Sequence, residues 1–371
     1  NDENSNYKPL PFDFSRASKA TVINKDGLIE EVGSGQPRID YKDDSKGAML
    51  LEPQRSNLVT YSEDFSNAYW TKSAVSILTG QSSPSLTNPT NAYNISGDGT
   101  SAFHNVFVGG VPLTDTNYYT FSVYAKAKTL NYLQLLISGA TATNHQNFDL
   151  LNGVVGNGSG IYDANIKFIS NGWYCCSITV LATSTSGANL YIALSNGVDM
   201  GRAVGFLTSN SIDIFGASFE QGSYPTSYIP TQGSAVTRVA DSCNNENLNV
   251  DYSGDYTLYL EHEALSITEY NQFQFRQETS ISYIFRVGNS INIGSGLYTT
   301  VNTIGFNKFA LSVTSNGLYN FYKNGVLLSS GSGLNANLET LRSDTTGMNI
   351  KEIKLYNTAL SNSELQALTQ V

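Results

Sequence analysis

The sequence is short of charge. Lys, Arg, Asp and Glu make up 14% of its 371 residues, against roughly 25% in ordinary globular proteins. The charge present leans acidic, with 21 basic side chains against 31 acidic ones and a formal net charge of −10. No cluster of Lys and Arg is available to track a phosphate backbone, so no nucleic-acid partner is expected. No apolar stretch approaches the ~18 residues of a membrane-spanning helix, so no membrane insertion is expected either. Cysteine is sparse: Cys175, Cys176 and Cys243. Neighbours on a strand point to opposite faces, which argues against a 175–176 bridge. An odd count gives no disulfide framework, and no Cys/His cluster has zinc-ligand spacing. Histidine is equally scarce, with only His104, His145 and His262. No nucleophile elbow, HExxH helix, phosphate loop or dinucleotide fingerprint stands in its required context. The chain therefore reads as not an enzyme. Glu261 and Glu263 would share one strand face, and paired carboxylates can hydrolyse glycosides, but a solvated strand face accounts for them better. Helix signals are nearly absent. The clear one is C-terminal, where Ser361 and Glu364 can form a capping box.

Aromatic residues are plentiful at 11%, with Tyr 23 and Phe 17. They fall in runs of period two, among them 118–126, 132–138, 173–182, 189–195, 212–220, 256–264 and 350–357, which is the strand pattern. Asn-Gly pairs sit between the runs. Asn324-Gly325 predicts a hairpin, because both residues accept the positive φ of a type I′ turn. The expected fold class is all-β: two antiparallel β-sandwich (jelly-roll) domains after an irregular N-terminal segment. Residues 1–57 lack the apolar content for a core of their own. Residues 239–249 read as a polar linker. The expected domains are 1–57 (attachment or oligomerisation), 58–241 and 242–371.

Sugars are bound by aromatic faces packed on C–H patches and by amides and hydroxyls that bond the sugar's hydroxyl groups. Alternation puts Tyr124 and Lys126 outward on the first run, Tyr132 and Gln134 outward on the second, and Tyr191 outward on 189–195. If these strands share a sheet they form a platform, and Trp173 would sit on its outer side. These are the candidate carbohydrate contacts; ordinary sheet-surface tyrosines are the competing reading. Oxygen-rich turns at Asp98 and Asp199 suit a structural calcium ion; no other cofactor is expected.

Several stretches resemble a known group. Phe14-Ser-Arg-Ala-Ser-Lys-Ala-Thr21, Asp26-Gly-Leu-Ile-Glu30, Gln54-Arg-Ser-Asn-Leu58 and Tyr61-Ser-Glu-Asp-Phe65 resemble the opening of bacteriophage virion proteins of the tail-fibre or tail-associated kind. Tyr119-Thr-Phe-Ser-Val-Tyr124, Asn171-Gly-Trp-Tyr174, Glu220-Gln-Gly-Ser-Tyr-Pro-Thr-Ser-Tyr-Ile-Pro230 and Thr237-Arg-Val-Ala-Asp241 are similar to their carbohydrate-binding-module-like jelly roll. Cys175 departs from that pattern, which carries Arg there. Tyr322-Lys-Asn-Gly-Val326 and the closing 353–365 stretch resemble the concanavalin A-like, laminin-G-like sandwich. The resemblance implies a virion appendage protein that binds bacterial surface polysaccharide without catalysis. It also implies other virion proteins as partners, through residues 1–57, and a homo-oligomer such as a trimer. The implied location is the virion surface. The alternatives are a purely structural capsid or tail decoration protein, a polysaccharide depolymerase, and a secreted or cell-surface bacterial protein.

Overall fold

A computed structural model describes residues 13–371, except 44, 140–143, 246–253, 267–271, 277–282, 295, 297, 335–337, 339 and 345–346. The first twelve residues of the expected attachment segment and residues 246–249 of the expected linker thus lie outside the described residues. The chain is all-β, as its period-two runs predict, and its sheets stack as sandwiches.

Two six-stranded sheets form the N-terminal sandwich. The front sheet runs Asp163–Phe168, Trp173–Leu181, Tyr118–Ala127, Ser211–Gln221, Ala92–Gly97, Val75–Gln81. The back sheet runs Val154–Ser159, His145–Asp149, Tyr132–Ser138, Ala188–Ser195, Asn105–Val111, Thr71–Ser73. Alternate side chains point inward from both. Phe121, Val123 and Ile178 of the front sheet meet Leu133, Leu135 and Ile192 of the back sheet in one buried core. Trp70 seals that core, its indole donating to the Tyr61 carbonyl at 2.8 Å.

One irregularity shapes the front sheet. Val123 pairs with Ala217 but Tyr124 pairs with Phe215, so Gly216 bulges out of the ladder. Gly216 has φ +53°, and a Cβ there would lie 3.0 Å from the Tyr228 ring. Only glycine takes that conformation against that ring without strain. Beyond the bulge, Tyr124, Phe215 and Trp173 form a second apolar layer on the sheet's outer face.

Two seven-stranded sheets form the C-terminal sandwich. One runs Asp13–Ser15, Ser242–Asn245, Thr340–Asp344, Gln272–Arg276, Tyr283–Gly288, Ser290–Ile293, Tyr298–Val301. The other runs Val326–Gly331, Tyr319–Lys323, Gly305–Val313, Tyr256–Ala264, Met348–Tyr356, Ala48–Leu51, Arg38–Asp40. Phe273, Phe275, Phe285, Phe309 and Phe321 stack through its core. The expected hairpin is present, with φ +48° at Asn324 and +78° at Gly325. The expected helix spans Asn362–Thr369 and carries both halves of the capping box. It buries Leu365 against Tyr259, Ala310 and Tyr322.

The N-terminal segment differs from the irregular appendage expected. Its few apolar residues are divided between other cores. The hairpin Ala20–Ile23 and Ile29–Val32 lays Ile23 and Ile29 over Tyr124 and Trp173 of the front sheet. Ala48–Leu51 pairs with Met348–Ile350 and adds Met49 and Leu51 to the C-terminal core. Phe14 pairs with Cys243, and Arg55–Asn57 pairs with Val236–Arg238. Residues 13–57 are therefore woven into both sandwiches, and their deletion would open both.

A fully buried charge cluster ties these crossings together. Asp241 accepts from Arg16 Nη1 at 2.9 Å and Arg38 Nη2 at 2.5 Å. Glu52 accepts from Arg38 Nη1 at 2.8 Å and Ser227 Oγ at 2.6 Å, and lies 3.0 Å from Arg238 Nη1. Burial alone would raise the Glu52 carboxyl, but Arg238 and Arg38 override it and hold it down at about 2. Three guanidiniums face two carboxylates, so both carboxylates are paired, while Arg38 Nε and Arg238 Nε are buried without a hydrogen-bond partner.

Candidate functional site

The structure separates the sequence-predicted platform. Tyr124, Lys126 and Trp173 are on the front sheet, whereas Tyr132, Gln134 and Tyr191 are on the back sheet. Strand 118–127 pairs with 173–181 and 211–221, and strand 132–138 crosses to the opposite sheet. Alternation reveals which way a side chain points but not which sheet its strand joins.

The front-sheet members are also covered. Tyr124 is 7% exposed and Trp173 2% exposed. Tyr124 meets Tyr228 edge-on at 5.8 Å, beneath the N-terminal hairpin. Burial drives the Tyr124 hydroxyl's pKa well up. Only Lys126 keeps partial exposure, opposite Trp173 in the ladder. On the back sheet, Gln134 is buried and spends its amide internally. It donates to Asn147 Oδ1 at 2.8 Å and the Gly201 carbonyl at 3.0 Å, and accepts from the Ala203 N–H at 2.9 Å. This network pins the 197–203 loop to the sheet. Tyr132 is partly exposed between Asp149 and Ser195.

Tyr191 is partly exposed on the outer face of its sheet, the orientation that alternation predicts. It lies directly across the ladder from Phe107, ring on ring at 4.9 Å and 17°. Phe103 stands on its other side at 6.3 Å. All three rings are partly exposed, so Phe103, Tyr191 and Phe107 form an aromatic ridge on the outer face of the back sheet. Polar side chains flank it. Thr71 and Ser73 are exposed on the edge strand, opposite Phe107 and Asn105. Asn105 donates to the Phe103 carbonyl at 2.9 Å, while its own Oδ1 is buried without a partner. Asn189 accepts from the Gly110 N–H at 3.1 Å at the far end. Phe103 and Phe107 were not among the sequence candidates. Phe107 shares a strand face with Asn105 by alternation, and Phe103 lies just before that strand, where alternation does not place it.

The remaining candidates are held elsewhere. Asp98 accepts from the Thr100 N–H at 3.0 Å and hydroxyl at 2.6 Å, in its own turn. Asp199 accepts from Asn157 Nδ2 at 2.6 Å in a different turn. Among the described residues, no three His, Cys, Asp or Glu side chains converge as a metal site would require. Glu261 accepts from Tyr259 Oη at 3.1 Å, and Glu263 from Asn349 Nδ2 at 2.8 Å. His104 is buried, with ring nitrogens 2.6 Å from the Ala74 carbonyl and 2.8 Å from that of Phe206. His262 is buried within the C-terminal core.

No family model and no curated protein matches the chain. Solved structures similar to it include the CBM40 of the Ruminococcus gnavus IT-sialidase bound to α2,3 sialyllactose. That match has 16% identity and a TM-score of 0.25, over 31% of this chain and 83% of that one. The CBM22 tandem from Paenibacillus barcinonensis Xyn10C gives 8% identity and TM-score 0.29, over 82% of this chain and 98% of that one. The Trypanosoma rangeli sialidase in complex with sialic acid gives 9% and 0.27, over 80% of this chain and 62% of the sialidase. At such scores the likenesses place no residue of this chain in a role. They do correct one expectation. The sequence reading counts the chain out as an enzyme, yet sialidases, which are enzymes, stand among the similar structures. That exclusion does not hold.

Proposed function

We propose that this protein binds bacterial surface glycans through the aromatic ridge of its back sheet, as part of a phage virion appendage. The observation that carries the glycan reading is the partly exposed Phe103–Tyr191–Phe107 ridge. Aromatic faces and edges receive the C–H patches of a sugar ring. Thr71 and Ser73 bring exposed hydroxyls to the same face. The virion reading rests on the N-terminal and middle sequence stretches that resemble phage tail proteins.

A single shallow ridge binds weakly, so firm attachment would come from several copies held together. A homo-oligomer on the virion surface supplies that multiplicity. The test is binding of the purified protein to an array of bacterial surface polysaccharides, followed by Tyr191→Ala and Phe107→Ala. Loss of binding in both variants with unchanged melting supports the reading; unchanged binding refutes it. Reducing-end release, followed on the same polysaccharides, reports any cleavage.

A further inference from the structure

A cavity of about 570 Å³ lies where the two sandwiches and the N-terminal segment meet. That volume is within the range of small-molecule sites. Its walls come from three parts of the chain. The N-terminal segment supplies Ile23, Ile29, Asp40 and Lys42; the outer face of the front sheet supplies Lys167, Cys175 and Ser177; the C-terminal sandwich supplies Glu263 and Asn349.

A buried polar atom of this wall is unsatisfied, and other polar side chains face the cavity beside it. Ser177 is 3% exposed and lines the cavity. Asn349 is equally buried; its Nδ2 donates to Glu263 and its Oδ1 is left unpartnered. Asp40 is buried and accepts from the Lys42 N–H at 3.2 Å. Native proteins rarely leave buried polar groups unmatched, and each exception calls for an explanation. A ligand that carries both donors and acceptors provides one.

The charges select its chemistry. Lys42 and Lys167 both face Asp43, so the two cations are already engaged. Asp40 lies beside Lys42, and Glu263 accepts from Asn349 and lies near both lysines, so the buried charges of the wall are matched among themselves and favour neither an anionic nor a cationic ligand. Ile23 and Ile29 offer an apolar wall beside them.

We propose that this cavity binds a neutral sugar of monosaccharide size. Its hydroxyls donate to Asp40 and Asn349 Oδ1 and accept from Ser177, with its C–H face on Ile23 and Ile29. This site is separate from the aromatic ridge, and its reading stands or falls independently of it.

Cys175 allows a test on the unaltered protein, because it is the partly exposed thiol of the three and lines the cavity, whereas Cys176 and Cys243 are fully buried. Alkylation of Cys175 by N-ethylmaleimide at pH 9, followed by mass spectrometry, is measured with glucose, galactose, mannose and rhamnose, and with glucuronate and glucosamine. At least one neutral sugar is expected to slow alkylation tenfold or more, with the charged sugars slowing it less. The protection is expected to vanish in Asn349→Leu and to survive in the Phe107→Ala/Tyr191→Ala double variant. The proposal is overturned if no neutral sugar protects, if a charged sugar protects better, or if Asn349→Leu protects as well as wild type. Loss of protection in the double variant overturns it as well.

Discussion

His262 sets an acid threshold for the C-terminal sandwich. Its ring is fully buried, stacked on Phe309 at 5.4 Å and 17°, and neither nitrogen has a hydrogen-bond partner. Burial favours the neutral ring, with a smaller push from Lys323, and the pKa falls from 6.5 to about 4. The folded pKa lies below the unfolded one, so between pH 6.5 and 4 the unfolded chain binds the extra proton. Stability is full above pH 6.5 and is lost as pH falls toward 4. A drop of that size is worth about 3 kcal/mol at roughly 1.4 kcal/mol per pH unit. The raised carboxyls of Glu220 and Glu263 work in the opposite direction, since they hold protons more tightly when folded. The clean quantity is therefore the difference between wild type and His262→Leu. Leu has a similar volume and removes two unsatisfied nitrogens, so the variant is expected to be at least as stable at pH 7.5. Its advantage in urea unfolding should then grow by about 3 kcal/mol between pH 7 and pH 4. Parallel pH profiles for the two proteins would refute this reasoning.

Other expectations concern the buried charge cluster, or clasp, the covered aromatics and the bulge. Asp241→Ala leaves Arg16 and Arg38 buried without their shared partner, and should cost about 3–5 kcal/mol in denaturant unfolding. Glu52 has a folded pKa of about 2 against an ordinary 4.5. Its contribution is present above pH 4.5 and lost as pH falls toward 2, so an acid transition in that window should disappear in Glu52→Gln. Trp173→Ala empties a packed site under the N-terminal hairpin and should cost about 3–5 kcal/mol, with polysaccharide binding by the folded fraction unchanged. Gly216→Ala forces a Cβ against the Tyr228 ring at positive φ and should lower the melting temperature by several degrees, at about 1 kcal/mol or more.

The strands, the Asn324-Gly325 hairpin and the capped C-terminal helix were legible in the sequence because each is a local pattern: period two, a turn dipeptide, a capping box. Sheet membership was not, because strands 118–127 and 132–138 are neighbours in sequence but lie on opposite sheets. That is why Tyr124 and Tyr191 do not share a platform. The role of residues 13–57 was also hidden. Their apolar residues are too few for a core, and only the long-range pairings to Cys243 and Met348 show which cores they complete. The motif stretches that carry the phage resemblance supply Arg16, Ser227, Arg238 and Asp241 to the buried clasp. Part of that sequence signature is thus explained by architecture rather than by ligand contact. Phe103 and Phe107 were visible in the sequence, but nothing local distinguishes a ring left exposed on a sheet from one that a loop covers.

The most direct measurement is a three-way comparison on one polysaccharide that the wild-type protein binds. Tyr191→Ala, Phe107→Ala and Tyr132→Ala are titrated against it, with melting curves to confirm folding. The account predicts at least tenfold weaker binding for the two ridge variants and little change for Tyr132→Ala, which lies outside the ridge. Undiminished binding by folded Tyr191→Ala and Phe107→Ala would contradict it.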